Sequence, residues 1–84
     1  MNVKELKEIL EKEKIPLKWY SINGYLEPDA YILREVENNY WEFFYMDERG
    51  NQDNDFQIFG SENDACEYLL KCLLNEKKHY NQSL

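Results

Sequence analysis

Apolar side chains recur at two different periods along this chain, and each period predicts a different kind of element. Near the amino terminus they follow the three- and four-residue spacing of an amphipathic helix: Val3, Leu6, Ile9 and Leu10. Asn2 and Glu5 match a capping box at the start of this pattern. Because the residue before a proline is pushed out of the helical region, Ile15 ends the segment, and we predict a first helix over residues 3–14.

In the middle of the chain the period changes to two. After an extended arm at residues 17–22 and an Asn23-Gly24 turn, two segments rich in β-branched and aromatic side chains flank a turn-forming interval: residues 31–36, Glu37-Asn38-Asn39 and residues 40–46. They predict an antiparallel hairpin. A three-residue loop sets Arg34 opposite Glu42, whereas a two-residue loop would oppose Glu35 to Glu42. Like charges directly opposed destabilise a sheet, so we expect the Arg34–Glu42 register.

This register divides the hairpin into two faces. The face that we expect to form the core carries Leu33 opposite Phe43, Tyr31 opposite Tyr45, and Trp41 near the turn. The other face carries the pairs Arg34–Glu42, Ile32–Phe44 and Val36–Tyr40. Two amphipathic helices most simply pack on one face of a sheet, which leaves the second face half bare.

The rest of the chain predicts a loop at 47–54, a strand at 55–59 ended by Gly60, and a second helix with Ser61 as its N-cap. The apolar stripe of this helix ends before Lys77-Lys78 and consists of Ala65, Cys66, Leu69, Leu70, Leu73 and Leu74. We expect a single domain over residues 1–84, with 79–84 as a frayed tail.

The predicted fold class is therefore α+β. It comprises an N-terminal helix, a three- to four-stranded antiparallel sheet and a C-terminal helix, with both helices packed on one sheet face.

Charge is spread unevenly over the chain. The 84 residues include 17 acids and 10 lysines or arginines, for a net charge of −7, which is the wrong sign to attract phosphate backbones. Residues 27–67 alone hold twelve acids against Arg34 and Arg49. Such a segment can serve solubility alone, or it can be a docking surface for a basic protein.

Tyrosines interleave with these acids and favour the docking interpretation, because aromatic side chains dominate interface energies. We expect six carboxylates to steer the encounter with a basic partner: Glu27, Asp29, Asp47, Glu48, Asp53 and Asp55. Three aromatic side chains are the expected anchors: Tyr25, Tyr40 and Phe44.

The sequence lacks the combinations of residues that enzymatic catalysis requires. We therefore predict no catalytic residue, metal ligand or cofactor. The single histidine, His79, falls in the expected tail, and Cys66 and Cys72 lie in leucine-rich surroundings that raise a thiol pKa. The spacing from Asn51 to Glu62 resembles a calcium loop, but Phe56 stands where the required glycine would be. Glu35 and Glu42 could serve as the two catalytic carboxylates of a glycosidase, although nothing in the sequence predicts a cleft around them.

Five strings along the chain resemble a widespread family of small bacterial proteins: Tyr20-Ser21-Ile22-Asn23-Gly24, Ala30-Tyr31, Trp41-Glu42-Phe43-Phe44-Tyr45, Glu48-Arg49-Gly50 and Phe59-Gly60-Ser61-Glu62-Asn63-Asp64-Ala65-Cys66-Glu67-Tyr68. Members of this family resemble immunity proteins of polymorphic toxin systems, including contact-dependent growth inhibition. The resemblance implies a non-enzymatic inhibitor that binds a cognate toxin domain, with a nuclease as the favoured class, in the cytoplasm of the producing cell. It assigns no contact residue.

Two other partner classes stay open. One is a small homodimeric regulatory or adaptor protein that pairs its half-bare sheet face through Tyr40 and Phe44. The other is an acidic mimic of nucleic acid that occupies a basic host protein. The chain shows neither an apolar leader after a basic start nor a run long enough to span a membrane, which agrees with the expected cytoplasmic location.

Overall fold

The computed structural model describes residues 1–51 and 56–82, with only the backbone described at 81 and 82. In chain order the elements are α1 (Val3–Lys12), a 3₁₀ turn (Leu17–Trp19), β1 (Tyr20–Ile22), β2 (Ala30–Glu37), β3 (Tyr40–Met46), β4 (Gln57–Phe59) and α2 (Glu62–Gln82). The four strands form one sheet in the order β1-β2-β3-β4. The α+β class predicted from the sequence is confirmed.

Helix α1 begins as predicted and ends earlier. The Asn2 side chain accepts the Glu5 backbone N–H at 2.8 Å, which is the expected N-cap. At the other end, Lys14 adopts a positive φ of 58°. The Lys14 N–H then donates to the Glu11 carbonyl at 3.0 Å, and the Ile15 N–H donates to the Leu10 carbonyl at 2.9 Å. These two bonds form a Schellman motif, so the helix ends at Lys12.

The first strand pairs in a direction that the sequence did not predict. The extended arm divides into the 3₁₀ turn and β1, and β1 runs parallel to β2, with Tyr20 opposite Tyr31 and Ile22 opposite Leu33. The sheet is therefore mixed, not wholly antiparallel. A strand of three residues is only about 10 Å long, so the segment 23–29 is long enough to return the chain to the start of β2.

The hairpin has the predicted register, with Arg34 opposite Glu42 and their side chains 3.0 Å apart. The turn differs from the prediction, because Glu37 and not Val36 lies opposite Tyr40. Val36 is the extra residue of a β-bulge between Glu35 and Glu37. The bulge lets a short Asn38-Asn39 turn coexist with the register that the charges favour.

The core lies between the two helices and the first face of the sheet, as predicted. Its buried members are Leu6, Leu10, Ile15, Ile22, Leu33, Trp41, Phe43, Ala65, Cys66, Leu69 and Leu73. The alternation along β3 and the helical stripe of α2 thus converge on one apolar layer.

The second face of the sheet is buried where we expected it to be bare. Ala30, Ile32, Phe44 and Met46 form a second cluster of side chains that are at most 8% exposed. The Phe56 ring stacks on Phe44 at 6.1 Å between centroids, and the Arg34 guanidinium lies 5.3 Å from the centre of the Phe44 ring. The half-bare prediction is wrong here, because it omitted the cover that Phe56 provides from the connection before β4.

Helix α2 has the predicted N-cap and a longer body than predicted. Ser61 Oγ accepts the Asp64 backbone N–H at 3.1 Å. The helix then continues through Gln82, so residues 79–82 are helical where we expected a frayed tail; 83 and 84 lie outside the described residues. Lys77 Nζ donates to the Glu13 carbonyl at 2.7 Å, and these contacts with the end of α1 stabilise the last turns. Leu74 is 38% exposed and does not belong to the buried stripe.

Candidate functional site

The predicted contact residues divide between the two ends of the hairpin. Asp29 precedes β2 and Asp47 follows β3, and the Asp29 N–H donates to the Asp47 carbonyl at 3.1 Å. We call this the open end of the hairpin. Tyr40 begins β3 and lies about 20 Å away along the strand. One compact partner-binding patch cannot be centred on both.

Three further predicted residues flank the open end in sequence and are exposed. Tyr25 and Glu27 lie in the loop that leads to Asp29, and Tyr25 is 87% exposed. Glu48 follows Asp47 and is exposed. Tyr25 thus has the exposure that an anchor side chain requires.

The Asp47 carboxylate has a structural role in addition to its charge. Its Oδ1 atom accepts the backbone N–H of Arg49 at 2.9 Å and that of Asn51 at 2.8 Å. The Asp47 N–H donates in turn to the Asn51 carbonyl at 2.9 Å. Asp47 therefore organises the turn after β3, as aspartate commonly does.

Phe44 does not have the surface position that an anchor needs. Its side chain is 1% exposed and belongs to the second core cluster, so its predicted role in binding is wrong. Asp53 and Asp55 lie outside the described residues.

The structure adds a pocket beside Asp29 that the sequence did not predict. Its volume is about 160 Å³, and four aromatic and two acidic side chains line it: Trp19, Asp29, Tyr31, Tyr45, Glu76 and Tyr80. We call it the aromatic-acid pocket. The 3₁₀ turn, the loop before β2, both strands of the hairpin and α2 all contribute to it.

The aromatic rings of this pocket support one another in two pairs. Tyr31 and Tyr45 meet edge to face with centroids 5.2 Å apart, and Tyr31 also stacks on Phe43 of the core at 5.6 Å. Trp19 and Tyr80 meet edge to face at 5.8 Å. Edge-to-face and offset contacts of this kind are the favoured aromatic geometries, so the walls are held in place.

Both acids of the pocket accept hydrogen bonds from tyrosine. Tyr45 Oη donates to Asp29 Oδ1, and Tyr31 Oη donates to Glu76 Oε2 at 3.5 Å. The bond to Asp29, together with burial, raises the pKa of Tyr45 to about 12. Burial and then the charge of Glu76 raise the pKa of Tyr31 to about 12. Both tyrosines therefore stay protonated and donate to carboxylates at neutral pH.

The sequence predicts Tyr31 and Tyr45 on the core face, and Tyr31 does pack against the core. It gives no sign that they also line a pocket, and it places Tyr80 in the expected tail, although a signal for Glu76 and Tyr80 is present. The spacing of three and four residues from Leu73 to Glu76 and then to Tyr80 continues the helical stripe. Extending the second helix along that stripe would have placed Glu76 and Tyr80 on its packed side.

The thiols offer no reactive group. Cys66 is buried, Cys72 is half-buried, and both are free. Burial raises the pKa of Cys66 to about 11 and also raises the pKa of Cys72, as the sequence predicted. A thiol of this kind is a poor nucleophile near neutral pH.

Within residues 1–51 and 56–82, no group of three or more His, Cys, Asp or Glu side chains is placed to hold a metal ion. The same part of the chain contains no helix that is both long and apolar enough to cross a membrane. The resemblance to immunity proteins stays a prediction, because no protein-family model, curated protein or solved structure matches this chain.

Proposed function

We propose that this protein is a non-enzymatic cytoplasmic immunity protein that binds a basic toxin domain and covers its active site or substrate groove, with a nuclease as the favoured toxin class. The observation that carries the proposal is the unneutralised charge at the open end of the hairpin. In the described part of the chain, lysine and arginine form ion pairs with Glu13 and Glu42. Neither pair involves Glu27, Asp29, Asp47 or Glu48.

Unpaired carboxylates at one end of a small protein favour association with a positive surface. The net charge of −7 gives the molecule a negative field, and charges that face a complementary site raise the association rate. A nuclease must attract phosphate backbones, so its substrate groove is basic. An acidic protein of this size can therefore compete for that groove.

The main competing explanation is that the acids only keep the protein in solution. Charge that serves solubility acts through the total, so neutralising equal numbers of acids at different positions has equal effects. A docking surface makes the opposite prediction, since only the acids at the contact affect binding. Position dependence thus separates the two explanations.

The test is growth rescue with a candidate basic toxin domain, which is sought first among the genes next to the one that encodes this protein. Cells that produce that domain should stop growing, and co-production of this protein should restore growth. The purified chain should also bind the purified domain with 1:1 stoichiometry. Failure to bind the domain, or protection of cells without any physical complex, would contradict the proposal.

Charge variants extend this test to the site. Glu27→Gln, Asp29→Asn and Glu48→Gln together should weaken binding by about tenfold or more, since each charge contributes some fraction of a kcal/mol to steering and contact. Glu8→Gln, Glu11→Gln and Glu67→Gln together change the net charge equally at exposed helix positions and should leave binding nearly unchanged. Equal losses in the two triple variants would favour the solubility explanation.

The homodimer alternative has lost support. It depended on a bare sheet face with Tyr40 and Phe44 as anchors, and Phe44 is buried inside its own chain. Tyr40 remains 40% exposed, Ile58 49% exposed, and Val36, at the bulge of the hairpin, 42% exposed. Three such side chains are far less than the apolar area that a stable dimer buries.

A further inference from the structure

We propose that the aromatic-acid pocket binds the guanidinium group of an arginine side chain that a basic protein partner inserts into it. The inference rests on the proposed function only for the source of the arginine. The chemistry of the pocket itself stands on the six residues that line it.

The lining selects for a positive group. Asp29 and Glu76 supply two carboxylates, and among the residues that the structure describes no lysine, arginine or histidine lines the pocket. Both tyrosine hydroxyls donate to these carboxylates, so the Tyr31 and Tyr45 oxygens keep lone pairs available to accept from an occupant. Aromatic faces attract cations, and the attraction strengthens when the cation is desolvated.

The nearest cluster of lysines lies in a different cavity. Lys14, Lys18 and Lys77 line a separate cavity of about 420 Å³, which shares only the Trp19 and Tyr80 side chains with the aromatic-acid pocket. Lys77 is also engaged with Glu13, because its Nζ atom donates to Glu13 Oε2 at 3.4 Å. The Trp19–Tyr80 pair therefore separates an acidic pocket from a basic one.

Size and hydration favour guanidinium over ammonium. The pocket has a volume of about 160 Å³, and a cavity of about 150 Å³ is large enough to hold benzene. A flat guanidinium group of similar size fits such a space, stacks on aromatic rings and is more weakly hydrated than an ammonium. Its five N–H donors can also serve two carboxylates at once, which the compact ammonium of lysine does less well.

Binding of capped amino acids to the full-length protein tests the proposal without a partner. N-acetyl-arginine amide is titrated in, with N-acetyl-citrulline amide as the neutral analogue of the same shape, and NMR follows the Trp19 indole N–H and the tyrosine rings. Trp41 is 2% exposed and serves as an internal reference. We expect saturable shifts at Trp19 with the arginine compound and at least tenfold weaker binding of the citrulline compound.

Lysine and free arginine complete the comparison. N-acetyl-lysine amide should bind more weakly than the arginine compound, and equal binding would overturn the preference for guanidinium. Free L-arginine should bind no more tightly than the capped compound, because its backbone adds an ammonium that Asp29 and Glu76 attract and a carboxylate that they repel. Tighter binding of the free amino acid would overturn the assignment to a polypeptide partner.

Variants locate the binding in the pocket. Asp29→Asn with Glu76→Gln keeps the hydrogen-bond acceptors and removes both charges, and we expect it to weaken arginine binding about tenfold. Glu8→Gln with Glu67→Gln removes two exposed charges outside the pocket and should change the affinity for the arginine compound less than twofold. Absence of arginine shifts in the native protein, or equal losses in both double variants, would overturn the proposal.

The pocket and the proposed function can fail separately. If growth rescue succeeds and arginine does not bind, the pocket proposal is wrong and the immunity function stands. If arginine binds and no toxin domain is neutralised, the pocket proposal holds for another basic protein and the immunity function is wrong.

Discussion

Two tyrosine hydroxyls that donate to carboxylates distinguish the open end of the hairpin at the scale of single residues. Tyr45 donates to Asp29, and Tyr31 donates to Glu76. Each bond uses the phenol proton to hold a carboxylate beside an aromatic ring. The arrangement keeps negative charge at the surface while it fixes the direction of both side chains.

These bonds predict a loss of stability at alkaline pH. The pKa of Tyr45 is raised to about 12 in the folded protein, against about 10 for an unperturbed tyrosine. The folded state thus holds this proton more tightly than the unfolded state. Its contribution is fully present below pH ~10 and is lost as the pH rises towards ~12.

Replacing the Tyr45 phenol tests the direction of this pH dependence. Tyr45→Phe removes the ionisable group, so the free energy of unfolding should fall less steeply between pH ~10 and ~12 than in the native protein. Urea unfolding at a series of pH values measures how steeply the free energy of unfolding falls. Tyr25→Phe, at an exposed position, is the control and should follow the native curve. An unchanged slope in Tyr45→Phe would contradict the assigned hydrogen bond.

Phe44 and Tyr40 lie on the same sheet face and should respond very differently to truncation. Phe44 is 1% exposed, so Phe44→Ala should lower the free energy of unfolding by about 3–5 kcal/mol through lost burial and a cavity. Tyr40 is 40% exposed, and Tyr40→Ala should lower it by about 1 kcal/mol or less. Denaturant titration of both variants measures the two losses of stability. Similar small losses would mean that the second face is bare after all.

At the scale of elements, the end of α1 gives a sharp test of the backbone. Lys14 adopts the left-handed conformation that closes the Schellman motif, and a side chain there carries strain that glycine lacks. Lys14→Gly should therefore stabilise the protein by up to about 1 kcal/mol.

The control for this prediction lies two residues earlier. Lys12 is the last residue of the helix, and Lys12→Gly should destabilise the protein by about 0.5–1 kcal/mol. Thermal unfolding of both variants gives the comparison. Destabilisation by Lys14→Gly would mean that the helix continues to residue 14, as the sequence pattern alone suggested.

Local patterns predicted the elements well because their causes are local. The Asn2 cap, the Ser61 cap and the alternation along the hairpin depend on neighbouring residues. Charge opposition at Glu42 also gave the correct register, since it depends on directly facing pairs. The α+β fold class and the apolar layer between the helices and the sheet could therefore be predicted from these local signals.

Features that depend on distant segments were not predicted. The last turns of α2 are held by Lys77 against Glu13 and by Tyr80 against Trp19, contacts that join opposite ends of the sequence. The burial of Phe44 depends on Phe56, which the sequence places in the third hairpin strand and which lies just before β4 in the structure. The aromatic-acid pocket is lined from the 3₁₀ turn, the loop before β2, the hairpin and the last turns of α2, so no local pattern contains it.

At the scale of the whole molecule, the acidic excess is concentrated in the middle of the chain. Residues 27–67 carry the acidic excess, while lysines cluster at the start of the chain and near its end. The Trp19–Tyr80 pair lies at the boundary, with an acidic pocket on one side and a lysine-lined cavity on the other. Such a surface orients the protein in the field of a charged partner before contact.

The central claim is that acids at the open end of the hairpin guide this protein onto a basic partner. The most direct measurement is the association rate constant, at increasing salt, with a toxin domain that the protein neutralises in the growth test, for the native chain and for both triple charge variants. We predict a steep fall with salt for the native chain, a slower and flatter curve for the Glu27, Asp29 and Glu48 variant, and a native curve for the Glu8, Glu11 and Glu67 control. Indistinguishable curves for all three proteins would contradict the claim.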